Sequence, residues 1–283
     1  MTPRCEVDNL RFMETTTLTV QNTRQTDSDH SNSSVRAKQR ANQRIIAFFP
    51  VYNEEGQLER FLRRFESVLE KGVVQEVLAV DDGSLDRTPE ILSQHSWCTA
   101  LRHSTNRGMG DALRTAYRYA IERQFDIFVI LAGNGKDNPA EIERLVEPVL
   151  AGEVDYVQGS RFLPGGRSRG LPPHRLWAMR LFTWVFSLFV LRRFTDCTNG
   201  FRAYRTSILR DPRLNWAQDW LGHSYEIEFY VHYKASALGY KVKEVPVSKI
   251  YRRASNGSYS KVRLKDWFTN LKPLFWLRFG IRN

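Results

Sequence analysis

Four short clusters of polar side chains each follow a run of apolar residues typical of a buried strand. The clusters comprise residues 50–55, 81–84, 132–137 and 159–161. Carboxylates such as those of Asp81 and Asp82 accept hydrogen bonds from a nucleobase or a ribose, whereas lysine and arginine neutralise phosphate groups. A single Asp-Gly or Asn-Gly cluster is ordinary turn chemistry, but four clusters at strand ends indicate one shared ligand site.

The elements that position these clusters alternate between strand and helix from residue 44 onward. Apolar runs predict strands at residues 45–49, 73–80, 100–103, 127–131 and 156–158. Between the first two, Leu58, Phe61, Leu62 and Phe65 recur at helical spacing. Repeated strand–helix units form a mostly parallel sheet with helices on both faces, so we expect an α/β, Rossmann-like fold. Because the carboxyl ends of parallel strands meet at one edge of a sheet, the four clusters belong at that edge.

The composition limits the classes of protein to which the chain can belong. Its 283 residues are 42% hydrophobic and 26% charged, which is ordinary for a large globular domain and excludes a wholly disordered chain. The three cysteines, Cys5, Cys98 and Cys197, lack metal-ligand spacing, so we expect a reducing compartment and neither a disulfide framework nor structural zinc. The longest uncharged apolar run, residues 181–191, would form about 17 Å of helix, too short for a hydrocarbon core of about 30 Å.

The net charge of +11 is concentrated in two stretches. Residues 161–194 carry seven arginines and no carboxylate, and residues 248–283 carry nine basic residues and one acid. Both stretches are interleaved with tryptophan, phenylalanine and leucine, a pattern typical of basic amphipathic helices at an anionic membrane surface. Core helices with solvated basic rims are the alternative. We do not expect nucleic-acid binding, because the motifs of nucleic-acid-binding folds are missing.

Seven motifs between residues 45 and 261 point to one protein family. They are Phe-Pro-Val-Tyr-Asn-Glu-Glu at 49–55, Val-Asp-Asp-Gly-Ser-Leu-Asp-Arg-Thr at 80–88, Asn-Arg-Gly-Met-Gly at 106–110, Gly-Ser-Arg at 159–161, Asn-Gly-Phe-Arg at 199–202, Glu-Val-Pro at 244–246, and Arg253 with Gly-Ser-Tyr-Ser-Lys at 257–261. With them the chain resembles the family-2 glycosyltransferases, most closely the branch similar to dolichyl-phosphate mannose synthase and other polyprenyl-phosphate sugar synthases. The resemblance implies a GT-A fold, a UDP- or GDP-linked sugar donor, and inverting transfer to a polyprenyl phosphate such as a dolichyl or undecaprenyl phosphate.

The resemblance also implies roles for individual residues. The donor-binding positions are Pro50, Tyr52, Glu54, Asp81, Asp82 and Asn134. The acceptor-phosphate positions are Arg202, Arg253 and Lys261, with Arg161 as a catalytic cation. Guanidinium groups suit such sites because they bind phosphate through two parallel hydrogen bonds.

One motif departs from the family pattern. Similar enzymes have Asp-x-Asp followed two residues later by Gln, which hold a divalent metal on the donor diphosphate, whereas this chain has Ala132, Asn134 and Lys136. Mg²⁺ and Mn²⁺ prefer anionic oxygen ligands, and a lysine ammonium neutralises a diphosphate directly. We therefore expect Lys136 to replace the metal as a catalytic cation. Two alternatives stay open: Asp137 or Asn134 holds a metal in a shifted loop, or the site binds nucleotide without catalysis.

A catalytic carboxylate is needed for one class of acceptor. A phosphate monoester is already anionic near neutral pH, whereas a hydroxyl acceptor needs a general base. Asp219 and Glu228 are the candidates for that base, with Glu226 in reserve. The alternatives to a polyprenyl-phosphate enzyme are therefore transfer to a saccharide or small-molecule hydroxyl, and a non-catalytic nucleotide-sugar-binding protein.

We expect three regions along the chain. Residues 21–34 are nearly all polar, and residues 1–43 lack an apolar signal-peptide core, so we expect residues 1–43 to form a disordered tail. Residues 44–263 form the GT-A domain, with a nucleotide-binding half at 44–160 and an acceptor half at 161–263, and residues 264–283 form a basic amphipathic tail. We expect a peripheral protein on the cytoplasmic face of a membrane, in contact with the nucleotide sugar, the polyprenyl phosphate and the membrane surface. A separate membrane-protein partner is left open.

Overall fold

A seven-stranded sheet organises the chain in the computed structural model, which describes residues 42–251 and 274–281. Its strands are β1 (Ile45–Val51), β2 (Glu76–Asp81), β3 (Cys98–Arg102), β4 (Ile127–Ile130), β5 (Tyr156–Ser160), β7 (Arg202–Arg205) and β8 (Val242–Pro246). They are ordered β3-β2-β1-β4-β7-β5-β8, and every neighbouring pair is parallel except the two pairs that involve β7. Two short strands, β6 (Arg167–Arg169) and β9 (Ser248–Ile250), pair in parallel as a second sheet.

The helices follow the strands, as the alternating pattern predicts. They are α1 (Glu55–Leu62), α2 (Glu66–Glu70), α3 (Thr88–Ser93), α4 (Met109–Glu122), α5 (Ile142–Leu150), α6 (Pro173–Phe189), α7 (Thr206–Leu209) and α8 (Glu226–Ala237). Short 3₁₀ turns occupy Arg63–Phe65, Pro139–Glu141 and Asp219–Leu221, and residues 274–278 form a further helical turn.

Side chains of β1 alternate between two hydrophobic cores, one on each face of the sheet. Ile46 and Phe48 join the core formed with α4, α6 and α8, whereas Ala47 and Phe49 join the core formed with α1 and α5. Strands that are buried on both faces need apolar residues at consecutive positions, which explains the uninterrupted apolar runs in the sequence. The expected mostly parallel sheet with helices on both faces is confirmed.

Strand β7 joins the two expected halves of the domain. It runs antiparallel between β4 and β5, and β8 of the C-terminal half pairs with β5. The described parts of the two expected halves, 44–160 and 161–251, therefore share one sheet. The expectations for residues 1–41, for 252–263 and for most of 264–283 lie outside the described residues.

Candidate active site

A cavity of about 820 Å³ is bordered by the carboxyl ends of β1 and β4 and by the first residues of α4 and α8. Helix α6 contributes Arg175, Met179 and Phe182 to its wall, and the end of β9 contributes Lys249 and Tyr251. Each of the four polar clusters in the sequence supplies at least one lining residue. The cavity therefore lies at the edge of the sheet where the strand pattern predicts a site.

The loops after β1 and β2 are joined by hydrogen bonds. The Asn53 N–H donates to Ser84 Oγ (3.0 Å), and the Leu85 N–H donates to Asn53 Oδ1 (2.8 Å). The Glu54 N–H donates to Thr88 Oγ1 (2.9 Å). These bonds fix the conformation of the segment that carries three of the predicted donor-binding residues.

Five of the six predicted donor-binding residues line the cavity, namely Pro50, Tyr52, Glu54, Asp82 and Asn134. The sixth, Asp81, is buried and is not among the described lining residues. Its Oδ1 accepts a hydrogen bond from the Ser84 N–H (2.9 Å), and its Oδ2 lies 3.2 Å from Arg102 Nε. In this arrangement Asp81 closes the turn that follows β2.

Asp82 anchors the glycine-containing loop that precedes α4. Its Oδ1 accepts from the Arg107 N–H (2.9 Å) and its Oδ2 from the Gly108 N–H (2.7 Å), and His103 Nδ1 lies 2.8 Å from Oδ1. Gly108 has a φ of 95°, and a Cβ added there would lie 2.3 Å from the His223 carbonyl oxygen. Glycine suits this position because it tolerates positive φ and has no Cβ. The motif thus brings the start of α4 against the loop before α8.

The loop after β4 carries the positions that depart from the family pattern, and Asp137 closes it. Asp137 is fully buried, its Oδ2 accepts from the Ala132 N–H (2.8 Å), and its Oδ1 lies 2.9 Å from Lys249 Nζ. Asn134 and Lys136 line the cavity. The Asn134 Oδ1 atom is buried without a hydrogen-bond partner in the described part of the chain. The loop therefore presents an amide and an ammonium group to the cavity.

These side chains do not fit a divalent metal ion. The resemblance seen in the sequence implies Mg²⁺ or Mn²⁺ held by carboxylates, but Ala132 has no side-chain oxygen, Asp137 is paired with Lys249, and Lys136 brings a positive charge. Within residues 42–251 and 274–281, there is no group of three or more His, Cys, Asp or Glu side chains suited to a metal. A metal held by Asp137 or Asn134 would lack a second carboxylate from this loop.

Lys136 and Lys249 place two ammonium groups on the cavity wall. Lys249 Nζ lies 2.9 Å from both Asn199 Oδ1 and Asp137 Oδ1. Among the described residues Lys136 forms no ion pair, and its Nζ lies 5.8 Å from the centre of the Tyr251 ring. Burial, together with the charge of Lys249, lowers the pKa of Lys136 from the ordinary value of 10.5 to about 8. The charges of Glu54 and Asp137 raise the pKa of Lys136 and offset this lowering only in part.

Arg161 lines the cavity, but protein groups bind its guanidinium. Its Nε and Nη2 donate to the two carboxylate oxygens of Asp196, each at 2.7 Å, and Nη2 also donates to Thr198 Oγ1 (2.6 Å). Its Nη1 donates to the Tyr251 hydroxyl. Burial alone would lower the pKa of Arg161, but Asp196 and Tyr251 together outweigh burial and raise that pKa above the ordinary arginine value. In this geometry Arg161 positions Tyr251.

Arg202 is not among the described lining residues, which departs from the expectation that it binds the acceptor phosphate. It is 1% exposed and donates to the carbonyl oxygens of Cys197 (3.0 Å), Asn199 (2.9 Å) and Glu228 (2.8 Å). The guanidinium thus ties the turn before β7 to α8, which accounts for an arginine in the core.

Of the two predicted carboxylate bases, Glu228 reaches the cavity and Asp219 does not. Glu228 lies in the first turn of α8, and Arg202 Nη2 is 3.9 Å from its Oε2. Burial raises the pKa of Glu228 above the ordinary glutamate value. Asp219 is exposed on a 3₁₀ turn and does not line the cavity. Glu228 is therefore the described carboxylate better suited to proton transfer.

Sequence reasoning assigned no role to several polar lining residues, among them Arg175, His223, Lys249 and Tyr251. Lys249 and Tyr251 reach the cavity because β9 runs beside the loop after β4, where the Ile250 N–H donates to the Lys136 carbonyl oxygen (3.0 Å). The high density of positive charge was the available signal for Lys249. The other predicted phosphate contacts, Arg253 and Lys261, lie outside the described residues.

Helix α6 has a buried apolar face and an exposed one. Met179, Phe182 and Phe186 are buried. The exposed side carries Trp177, Leu181, Trp184 and Leu188, which we call the exposed α6 stripe. The two tryptophans are 68% and 60% exposed, and spacings of four, three and four residues place all four side chains on one side of the helix.

Basic and aromatic groups surround the exposed α6 stripe. Arg180, Arg192 and Arg193 are exposed along and just beyond the helix. Phe275 and Phe279 pack against Phe189 of the same helix, with ring centres 4.8 Å and 6.4 Å away. In the described part of the chain, no helix has the length and apolarity needed to cross a membrane.

Comparison with known proteins identifies the fold and the family. The structure superposes on glucosyl-3-phosphoglycerate synthase from Mycobacterium tuberculosis, in a complex with Mn²⁺, UDP and glucosyl-3-phosphoglycerate, with a TM-score of 0.62 and 19% identity. The match covers 88% of this chain and 84% of that one, and it confirms the expected GT-A fold.

Closer relatives are found by sequence. The undecaprenyl-phosphate mannosyltransferase of Micrococcus luteus is 30% identical over 229 residues, which are 77% of this chain and 88% of that protein. The polyprenol monophosphomannose synthase of Mycolicibacterium smegmatis is 31% identical over 233 residues, which are 80% of this chain and 85% of that protein. Residues 47–211 match the family model of glycosyl transferase family 2. The chain therefore belongs to family 2 of the glycosyltransferases and is a glycosyltransferase.

Proposed function

We propose that this glycosyltransferase moves a sugar from a nucleoside-diphosphate sugar to a polyprenyl phosphate at a membrane surface. The relatives named for undecaprenyl-phosphate and polyprenol-phosphate mannose transfer support the acceptor class. The donor can be a UDP-sugar or a GDP-sugar, since both nucleotides present a base, a ribose and a diphosphate to the same edge of the sheet.

The donor half of the proposal is supported by the side chains at the ends of β1 and β4. Tyr52 offers a ring and Glu54 a carboxylate, two groups suited to a nucleoside, and Asn134 adds a buried carbonyl oxygen without a partner in the described chain. Asp82 lines the same wall while it anchors the loop before α4. Such concave sites with a few polar groups are typical of small-ligand sites.

The two faces of α6 are the observation that best supports a polyprenyl phosphate as the acceptor. The helix gives Arg175, Met179 and Phe182 to the cavity, and it exposes Trp177 and Trp184 on the surface. A lipid with an anionic headgroup needs such a boundary, because its phosphate must reach the cavity while its tail stays in apolar surroundings. Exposed aromatic residues beside arginines are suited to an anionic bilayer surface.

The chemistry of this transfer requires little proton movement. A phosphate oxygen of the acceptor attacks the anomeric carbon, and the bond from that carbon to the β-phosphate oxygen of the donor breaks. The electron pair stays on the departing nucleoside diphosphate. A single displacement inverts the anomeric centre, and an acceptor that is already anionic needs no general base.

We further propose that the protein acts on the cytoplasmic face of the membrane as a peripheral protein. The described cysteines, Cys98 and Cys197, are both free thiols buried in the fold, a state that suits a reducing compartment. Whether a separate membrane protein assists it is a question that co-purification from membranes would answer.

Glu228 favours a second candidate function, transfer to a hydroxyl. It lines the cavity, and burial raises its pKa, as is typical of a general base that works near neutral pH. This candidate predicts transfer to saccharide or small-molecule hydroxyls without dependence on lipid.

The deciding experiment measures sugar transfer from a panel of UDP- and GDP-sugars to two prenyl phosphates and, in parallel, to a set of saccharides. One prenyl phosphate is a long-chain polyprenyl phosphate in anionic vesicles, and the other is short and water-soluble. We expect lipid-linked sugar from both prenyl phosphates. Product on saccharide hydroxyls, with none on either prenyl phosphate, would overturn the proposal in favour of the second candidate.

Variants of the exposed α6 stripe test the membrane part separately. Trp177→Ser/Trp184→Ser should reduce transfer to the vesicle-borne acceptor at least about tenfold, because burial of two indole rings contributes several kcal/mol to membrane binding. The same variant should keep its rate with the soluble acceptor. Leu85→Ser is the matched control, because Leu85 is 88% exposed outside the stripe. Equal losses with both acceptors would refute a membrane role for the stripe.

A further inference from the structure

We propose that the Lys136 ammonium group takes the place of a divalent metal ion, so that the enzyme binds its donor diphosphate without metal. This inference rests on the proposed function for the identity of the donor, and it adds the residue that neutralises the diphosphate.

The carboxylates of Asp137 and Asp82 already have partners within the protein. In the loop after β4, Asp137 is the acidic residue, and both its oxygens are engaged, by the Ala132 N–H and by Lys249. Asp82, on the neighbouring wall, accepts the N–H groups of Arg107 and Gly108. Recruiting either carboxylate to a metal would break contacts that hold the cavity wall.

The cavity wall already carries a cation at Lys136. Lys136 lines the cavity, and the ion pairs within the described chain do not include it. Lys249 is different, because Asp137 and Asn199 both lie 2.9 Å from its Nζ. The wall therefore has one ammonium that serves the fold and a second that is placed for an anionic ligand.

Contacts with β9 and Tyr251 hold Lys136 in place. Its carbonyl oxygen accepts a hydrogen bond from the Ile250 N–H (3.0 Å), so β9 fixes the backbone of the loop. The Tyr251 ring lies 5.8 Å from Nζ, a distance at which an aromatic face attracts a cation. Arg161 in turn donates to the Tyr251 hydroxyl. The ammonium is thus positioned by elements from both halves of the domain.

The role of Lys136 in the transfer follows from the charge balance. When the bond between the anomeric carbon and the β-phosphate oxygen breaks, that oxygen keeps the electron pair and the nucleoside diphosphate gains one negative charge. The new bond forms to an oxygen of the acceptor phosphate, which loses one negative charge. An ammonium group that donates hydrogen bonds to the diphosphate stabilises the charge on the leaving group.

Nucleotide binding tests this inference apart from lipid transfer. Calorimetry would measure the affinities of UDP and GDP for the wild-type chain, once in EDTA and once in Mn²⁺. For the nucleotide that binds, we expect equal affinity in the two conditions, within about threefold. Binding that disappears in EDTA would overturn the inference without a need for any variant.

Two variants sharpen the test. Lys136→Met should weaken nucleotide binding at least about tenfold in both conditions, because it removes a charge-assisted hydrogen bond to phosphate. Lys243→Met is the control, since Lys243 is exposed and pairs with Glu153. Unchanged affinity in Lys136→Met would refute the role of this residue.

The reverse experiment restores carboxylates to the loop. The variant Ala132→Asp/Asn134→Asp/Lys136→Gln should bind nucleotide in Mn²⁺ and lose that binding in EDTA, which reverses the wild-type behaviour. Its binding of Mn²⁺ alone can be followed by electron paramagnetic resonance. Metal-independent binding by the wild type, together with no lipid-linked product, would leave the inference standing and overturn the proposed acceptor instead.

Discussion

Replacing Lys136 by methionine should stabilise the nucleotide-free protein. Burial and the nearby Lys249 lower the pKa of Lys136 from 10.5 to about 8. Each pKa unit corresponds to about 1.4 kcal/mol, so the folded state disfavours the charged ammonium by about 3 kcal/mol relative to the unfolded chain. Methionine has a similar length and no charge. The variant should therefore raise the free energy of unfolding by an amount that approaches this value.

The stability that Lys136→Met gains over the wild type should decrease as the pH rises. Below about pH 8 the ammonium is protonated in both states, and the full cost is present in the wild type. Between about pH 8 and 10.5 the unfolded chain keeps a proton that the folded chain has lost, so wild-type stability rises with pH through this group. The advantage of the variant should therefore shrink as the pH rises through this window.

Urea unfolding at about pH 7 and about pH 9.5 would measure both effects. Lys243→Met serves as the control, because its side chain is 49% exposed and should change stability by less than about 1 kcal/mol. A Lys136→Met variant that is less stable than the wild type at the lower pH would refute the reasoning. That result would mean that a neighbouring group compensates the ammonium in the free protein.

Three other substitutions test the rest of the site. Asp196→Ala should lower the free energy of unfolding by about 3–5 kcal/mol, because it leaves the Arg161 guanidinium buried and unpaired; a loss below about 1 kcal/mol in chemical denaturation would contradict this. Gly108→Ala should destabilise the protein by about 1–3 kcal/mol and weaken nucleotide binding in calorimetry, since its φ is positive and a Cβ would collide with the His223 carbonyl oxygen; wild-type affinity would show that the loop adapts. Glu228→Gln should change kcat on a polyprenyl phosphate less than about tenfold in a radiolabelled-sugar assay, whereas a loss of about 100-fold would indicate a general base.

The sequence predicted those strands of the sheet that form uninterrupted runs of apolar residues. The run at 127–131 became β4, Ile127–Ile130, because a strand covered on both faces requires consecutive apolar residues. Strand β7, Arg202–Arg205, has two arginines in four residues and shows no such run. Its position between β4 and β5 depends on contacts between distant parts of the chain, which a local pattern does not contain.

The site residues that directly follow parallel strands were predictable from the sequence, whereas those that reach the cavity through contacts between distant residues were not. Strand-end logic brought Tyr52, Asn134 and Lys136 to one cavity, since parallel strands end at a common edge. The role of Arg202 was inferred from the motif resemblance instead, and a motif arginine that bonds backbone carbonyls has the same sequence signature as one that binds phosphate. Lys249 was missed because its contact with Asp137 joins residues more than a hundred positions apart.

Because hydrogen bonds join the loops after β1 and β2, these loops lose their conformational entropy when the chain folds and not when a ligand binds. Because Asn53, Ser84 and Thr88 hold the two loops to each other, the segment that carries Tyr52 and Glu54 has its conformation before a ligand arrives. Fixing each backbone residue costs about 1–2 kcal/mol, and here that loss accompanies folding of the chain. Ligand binding at this edge of the sheet is therefore closer to lock-and-key recognition than to coupled folding. The free energy of the contacts with the ligand is not spent on ordering these loops and contributes to affinity.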